Sequence, residues 1–286
     1  MAKPVSPTIP RWQLGKELQR LRDAAGASYQ DIATLLGCSE SKIRKIESGD
    51  VGIARLELLA MLDRYGVTEE TQRDSLLALA QLGKQRGWWS SGGQLPYPYA
   101  AYIGLETAAS SSRTFELAVI PGLCQTEAYA RAVNKATDPG ASASEIDRQV
   151  KVRMTRQDRL TDDDPLQLWA IIDESAILRE VGSRAVMRDQ LRRLVDLSRL
   201  PNVTIQVLPL SHGEHPGTLG PFIILEFPPE VRSPVVFTEG IVGPACLDSA
   251  EHVARCNVLY NHLTAAALSE KESVKLIAKA AGSNDD

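Results

Sequence analysis

The 286-residue chain has only four cysteines, at positions 38, 124, 246 and 256, and no Cys-x-x-Cys spacing among them. That gives no sign of a disulfide framework or a thiolate metal site, and fits inert, mostly buried thiols in a reducing cytoplasm. No apolar run approaches the ~20 residues of a membrane helix. The first twelve residues, MAKPVSPTIPRW, lack the apolar core of a secretory signal and read as a proline-rich disordered tail over 1–10. Gly-x-Ser-x-Gly, a Walker loop and a helix-opening Gly-x-Gly-x-x-Gly are all missing, so nothing points to an esterase, an NTPase or a dinucleotide enzyme. No catalytic residue, cofactor or metal is therefore assigned. A surplus of positive charge is missing too. The net charge is −4, with residues 1–83 neutral at 11 basic against 11 acidic side chains. Within that stretch, residues 11–49 carry a small basic excess, 7 against 5. A broadly basic nucleic-acid coat is ruled out; any contact with DNA depends on a local patch with steep salt sensitivity.

What is present begins with residues 28–49, SYQDIATLLGCSESKIRKIESG. Ile32, Ala33, Leu35 and Leu36 recur at helical spacing, Gly37 interrupts, and Ile43 and Ile46 resume the pattern. Gly37 suits a left-handed helix end and Ser39 the N-cap of the next helix. Two short helices joined by a glycine turn make a helix-turn-helix. At about 100° per residue, Ile43 and Ile46 set the buried direction of the second helix. Ser41, Arg44, Lys45 and Ser48 then point outward, with Lys42 and Glu40 on the flanks. Such a face suits a major groove, where hydroxyls read either base type and Arg or Lys reads guanine. The bland alternative is a solvated surface helix of an unrelated helical domain.

Around this pair, Trp12 to Ala25 reads as a first helix. Ala54 to Tyr65 reads as a fourth, with Leu56, Leu59 and Leu62 on one side, and a fifth, capped by Thr68, runs to about Leu82. Residues 11–83 form this helical domain. Residues 84–104 then turn to Gly, Ser, Pro and aromatics, which marks a linker. Trp88 and Trp89 within it are expected to dock on the second domain or line its pocket. Residues 105–286 mix helices with strands at 113–122, 166–173, 203–209, 221–227 and 234–240, which predicts an α/β domain with a mixed sheet and C-terminal helices. Asp173 and Glu174 end a strand, where α/β folds place ligands, although Glu174 equally suits a helix cap. His212 and His215 sit in a Gly/Pro loop without a third ligand at a telling spacing; they read as rim or structural histidines. Trp88, Trp89, Glu174 and His215 together form a candidate ligand pocket.

Two resemblances add to this. LGKELQRLRDAAG (14–26), Ser28, Ile32–Ala33, LLG (35–37) and IRKIESG (43–49) resemble the Cro/repressor-type (xenobiotic-response-element, XRE) helix-turn-helix family. That resemblance implies a sequence-specific operator contact through Ser39, Ser41, Lys42, Arg44 and Lys45, and a structural ion pair of Arg22 with Glu47. The family usually has Gln directly after the serine that opens its second helix. Here that position is Tyr29, with Gln30 following, so one of these two would approach a phosphate. Further on, GWW (87–89), YIGLE (102–106), VIPGLCQTEAYARA (119–132), R-x-x-R-Q-x-x-L (153–160), IDESAILREVG (172–182), QLRRL (190–194) and NVTIQVLPL…GEHPGTLGPFIILEF (202–227) look like the uncharacterised domain that follows a helix-turn-helix in many actinobacterial regulators, including WhiJ-like, antitoxin-like proteins. The resemblance implies a transcriptional regulator of double-stranded DNA, to which the cysteine usage adds a cytoplasmic setting and the weak local basic patch a dimer. Its second domain would sense a small-molecule effector or a small partner protein encoded nearby, with no membrane involved. The rival expectation is an enzyme or small-molecule receptor that uses DNA only as a tether. A third is a protein–protein switch.

Overall fold

The computed structural model describes residues 6–90, 97–229, 231–240 and 243–282. The chain forms two compact units, one of residues 1–108 with 229–232, the other of residues 109–228 with 233–286.

The first unit is helical. Its helices are α1 (Thr8–Ala24), α2 (Tyr29–Leu36), α3 (Glu40–Glu47), α4 (Arg55–Arg64), α5 (Glu70–Gly83) and α6 (Tyr97–Ala108), with a 3-10 turn at Trp88–Ser90. Leu18, Ile32, Ile43, Leu58, Met61 and Leu62 are wholly excluded from solvent and tie the first five helices into one core. Burial of each such side chain contributes ~1.5–3 kcal/mol. The boundaries depart from the sequence reading in three places. Helix α1 starts at Thr8, inside the expected tail, because Pro10 falls in its first turn, where a missing N–H breaks no helical bond. The remainder of that tail, residues 1–5, lies outside the described residues. Helix α6 occupies 97–104 of the expected linker and places them in the helical unit, while 91–96 lie outside the described residues. On α4, the buried positions are Leu58, Met61 and Leu62, whereas Leu56 is 79% exposed and the expected stripe is rotated.

The second unit is an α/β domain. It contains β1 (Ser111–Glu116), α7 (Glu127–Thr137), α8 (Ala143–Arg156), β2 (Gln167–Asp173), α9 (Glu174–Leu178), α10 (Arg184–Leu197), β3 (Val203–Leu208), β4 (Phe222–Glu226), β5 (Val235–Thr238), β6 (Ala245–Leu247), α11 (Ala250–Ala266) and α12 (Glu270–Ala280). The strands make a six-stranded mixed sheet in the order β3-β2-β1-β4-β5-β6. The strands β1, β2 and β3 run parallel, joined by helical crossovers, and β4, β5 and β6 continue antiparallel. In β2 and β3 the apolar run is nearly continuous, as strands covered on both faces require. One face packs Phe115, Ile171, Phe222 and Ile224 against Tyr260 and Leu263 of α11. The outer edge of β3 is closed by the chain leading into α12. Leu268 N–H donates to the Val207 carbonyl at 2.9 Å, and Val207 N–H to Ser273 Oγ at 2.9 Å. Those two bonds cover the strand edge at Val207.

Candidate nucleic-acid interface

The local sequence sets the two short helices. Ser28 and Asp31 form a reciprocal capping box at the start of α2, at 3.1 and 2.8 Å. Gly37 ends that helix at φ +62°, a backbone state that costs other residues a Cβ clash. Ser39 then caps α3 by accepting from Lys42 N–H at 3.3 Å.

The underside of α3 is fixed from three directions. Ile43 and Ile46 enter the core. Arg22 of α1 grips Glu47 with both arms of its guanidinium, Nε to Oε1 at 2.7 Å and Nη2 to Oε2 at 3.1 Å, and Nη1 donates to the Ala27 carbonyl. Both side chains are almost fully buried. Hydrogen bonding to Glu47 pushes the Arg22 pKa further up, so the guanidinium stays charged. Third, Gly15 of α1 lies directly on the last turn of α3: a Cβ there would sit 2.4 Å from the Glu47 carbonyl oxygen.

The upper face carries the predicted ridge. Ser41, Arg44, Lys45 and Ser48 are exposed. The Arg44 guanidinium lies 3.9 Å above the Tyr29 ring, whose other contact is the Arg22 guanidinium at 4.0 Å. Glu40 steadies the same arginine at 3.4 Å. Tyr29 thus stands between two cations and aims Arg44, a role that the sequence reading, which gave it a phosphate, did not foresee. Gln30 is exposed and donates to Thr34 Oγ1 at 3.3 Å. Lys42 differs from its neighbours, since its ammonium rests on Glu57 Oε1 at 2.5 Å. Glu57 also accepts the Ala54 N–H that opens α4, and the lysine holds its carboxyl below the usual range. Arg44 and Lys45 are therefore the cations of the ridge presented for a new contact, with Lys42 held at its flank.

The expected ligand pocket draws its residues from both units. Trp88 and Trp89 belong to the helical unit, and Glu174 and His215 to the other. Trp88 Nε1 donates to Thr107 Oγ1 of α6 at 3.3 Å, and Trp89 is buried edge-on against Trp88. The physical reason is α6 itself, which supplies the apolar surface that a linker would have lacked. Glu174 is not the cap of α9. Asp173 Oδ1 takes that place by accepting from Ser175 N–H, and Glu174 Oε2 instead accepts from Leu210 N–H at 2.8 Å. His215 Nε2 lies 3.6 Å from Asp173 Oδ2, with its ring edge-on to Phe115. His212 is exposed. Among the described residues, no group of three or more His, Cys, Asp or Glu is placed to hold a metal.

The second unit holds a polar cluster that the sequence reading quoted only as motif. Arg153 Nη1 donates to Gln125 Oε1 at 2.8 Å and Nη2 to Asn134 Oδ1 at 3.4 Å. Gln157 Nε2 donates to the Gln125 carbonyl, and Gln190 Nε2 to that of Cys124. At the end of β1, burial raises the Glu116 carboxyl to about 8. Glu239 pushes in the same direction, and Arg153 offsets part of the effect. The spacing of R-x-x-R-Q-x-x-L puts Arg153 and Gln157 one helical turn apart, which is the one signal that they share a face.

Residues 13–76 match a helix-turn-helix domain, the kind of module carried by DNA-binding regulators. No curated protein and no solved structure matches the chain. No helix among the described residues is long and apolar enough to cross a membrane. Residues 99–279, well over half of the chain, match the domain of unknown function DUF5753, and the chain belongs to that family.

Proposed function

We propose that the protein is a sequence-specific transcriptional regulator that docks α3 in the major groove of double-stranded DNA. The observation that carries this reading is the ridge: Ser41, Arg44, Lys45 and Ser48 exposed on a short helix that Ile43, Ile46 and the Arg22–Glu47 pair hold in place. Ser39 and Lys42 would flank the contact, and Tyr29 or Gln30 would lie near a phosphate. In this reading the protein acts in the cytoplasm as a homodimer of the XRE kind, its two recognition helices about one helical turn apart, ~34–36 Å. The C-terminal domain responds to an effector or to a small partner protein by binding two arrangements unequally. It is a regulator, not an enzyme. Its kinship with actinobacterial, WhiJ-like, antitoxin-like regulators belongs to the same proposal and rests on the ordered motif set between Gly87 and Phe227.

The test is retention of DNA fragments selected from the host genome. The parent chain should retard them, and Arg44→Ala/Lys45→Ala should not, with an unchanged melting temperature because both side chains are exposed. Equal retardation by the two proteins would remove α3 from the interface.

A further inference from the structure

The helical unit has a second concave feature, distinct from the ridge. It is a cleft of about 540 Å³, bordered by the start of α1, the turn after α3, the chain after α5 and the first turns of α6. That volume lies in the range of small-molecule sites, ~300–1,000 Å³. Three cationic side chains, Arg11, Lys84 and Arg86, line it against one carboxylate, Asp50. The Arg11 Nε is committed to the Gly83 carbonyl at 2.5 Å, which fixes that side chain in the wall. Lys84 and Arg86 are exposed, and neither closes a salt bridge among the described residues.

Two further features define the ligand. Helix α1 presents its amino end to the cleft with no acidic residue in its first turn, where Pro7 and Pro10 carry no N–H and the Thr8 N–H donates to Ser6 Oγ at 3.4 Å. The helix dipole, rather than free amides, is what favours an anion there. The opposite character comes from Trp89 with Ala100 and Ala101, an apolar wall beside the charges. The wall is rigid: a Cβ on Gly87 would meet the Trp89 ring at 2.4 Å, and one on Gly104 would meet it at 2.9 Å. That packing holds the apolar wall in shape, whereas the exposed Lys84 and Arg86 become ordered on binding.

We propose that this cleft binds a small organic anion: an aromatic ring bearing a carboxylate, sulfonate or phosphate, with the acid group at Lys84 and Arg86 and the ring along Trp89. The binding does not depend on α3 contacting DNA.

The full-length chain can be titrated with 1-anilinonaphthalene-8-sulfonate and with its uncharged counterpart N-phenyl-1-naphthylamine. The sulfonate should bind saturably at one site, at least tenfold more tightly than the amine. Lys84→Glu/Arg86→Glu should weaken the sulfonate at least tenfold, and Ala101→Trp, which fills the cleft, should weaken both probes. If the charge reversal lowers the melting temperature, Lys84→Gln/Arg86→Gln replaces it with the same expectation. Equal binding of the two probes, or sulfonate binding that survives both substitutions, overturns the proposal. A duplex of mixed sequence that displaces the sulfonate from the Arg44→Ala/Lys45→Ala chain also overturns it, because the cleft is then a nucleic-acid contact. Failure of the ridge variants to lose DNA leaves this titration unaffected.

Discussion

At the scale of residues, a chain of four side chains links α1, α2 and α3: Glu47, Arg22, Tyr29 and Arg44. The first two form a buried ion pair, and burying one charge without the other is costly. Arg22→Ala should therefore lower stability by ~3–5 kcal/mol, read from urea unfolding, with Arg22→Ala/Glu47→Ala recovering part of the loss. A single variant as stable as the parent would show that the pair is not buried in solution. The pair was legible in the sequence through its resemblance-based positions, whereas the stack of Tyr29 between two guanidiniums was not. It depends on where α1 and α3 bring their arginines, and no spacing along the chain encodes that. The second unit has its own residue-scale lever in Glu116. Its carboxyl is raised in the folded chain to about 8, against about 4.5 for a glutamate in the unfolded chain. Between these values the unfolded chain has released the proton and the folded chain has kept it, so stability falls as pH rises through this window and levels off above it. The total effect is on the order of 3–5 kcal/mol. Glu116→Gln should flatten that decline and make the variant the more stable protein at pH 8. A parent whose urea midpoint is constant from pH 5 to 8 would contradict the assignment.

At the scale of elements, the close crossing of α1 on α3 decides the sign of a substitution that propensity alone would misjudge. Glycine within a helix ordinarily costs ~0.5–1 kcal/mol relative to alanine, so Gly15→Ala should stabilise an isolated α1. In the folded unit the added methyl would lie 2.4 Å from the Glu47 carbonyl and 2.7 Å from that of Ile46. Backbone atoms of two packed helices yield little, and overpacking of this kind costs ~1–3 kcal/mol. Gly15→Ala should thus destabilise by that amount, measured by thermal unfolding, and displace α3 by lifting it from its support. Stabilisation by the alanine would mean that the crossing is looser than described. Element existence was readable wherever periodicity was strong. Helices α1 to α5, β2, β3 and the two C-terminal helices all follow apolar spacing. Three features escaped. Helix α6 begins amid Tyr and Pro, which carry a linker's composition although its later turns pack on α1. The strand β6 has three residues, too few for alternation to register. Leu56 was placed inside because it shares helical spacing with Leu59 and Leu62, but Met61 and Leu58 fill that side of α4. A stripe read without its partner helix is ambiguous by one position.

At the scale of the whole molecule, the balance of charge sets how DNA binding would depend on salt. With a net charge of −4 and residues 1–83 neutral overall, the long-range field does not draw a polyanion to the protein. Attraction has to come from the few cations that the fold exposes along α3, and Lys42 is already half engaged by Glu57. Each phosphate neutralised by such a cation releases condensed counterion, contributing about −0.9 to the slope of log affinity against log salt. Replacing Lys45 alone, if it meets a phosphate, should weaken binding to every sequence alike and reduce the magnitude of that slope by about 1 per protomer. Replacing Arg44 alone, if it reads a base, should lower the preference for selected fragments over random duplex by ~1–3 kcal/mol while leaving the slope nearly unchanged. The stack on Tyr29 makes this division testable, because it extends Arg44 along a fixed line and leaves Lys45 on its own flexible stem. Equilibrium binding of each single variant at four or more salt concentrations, on one selected and one random duplex, separates the two roles. Equal slopes for the parent and the Lys45 variant, together with an unaltered preference in the Arg44 variant, would mean that neither cation meets the duplex, and the ridge would then be only a solvated helix face.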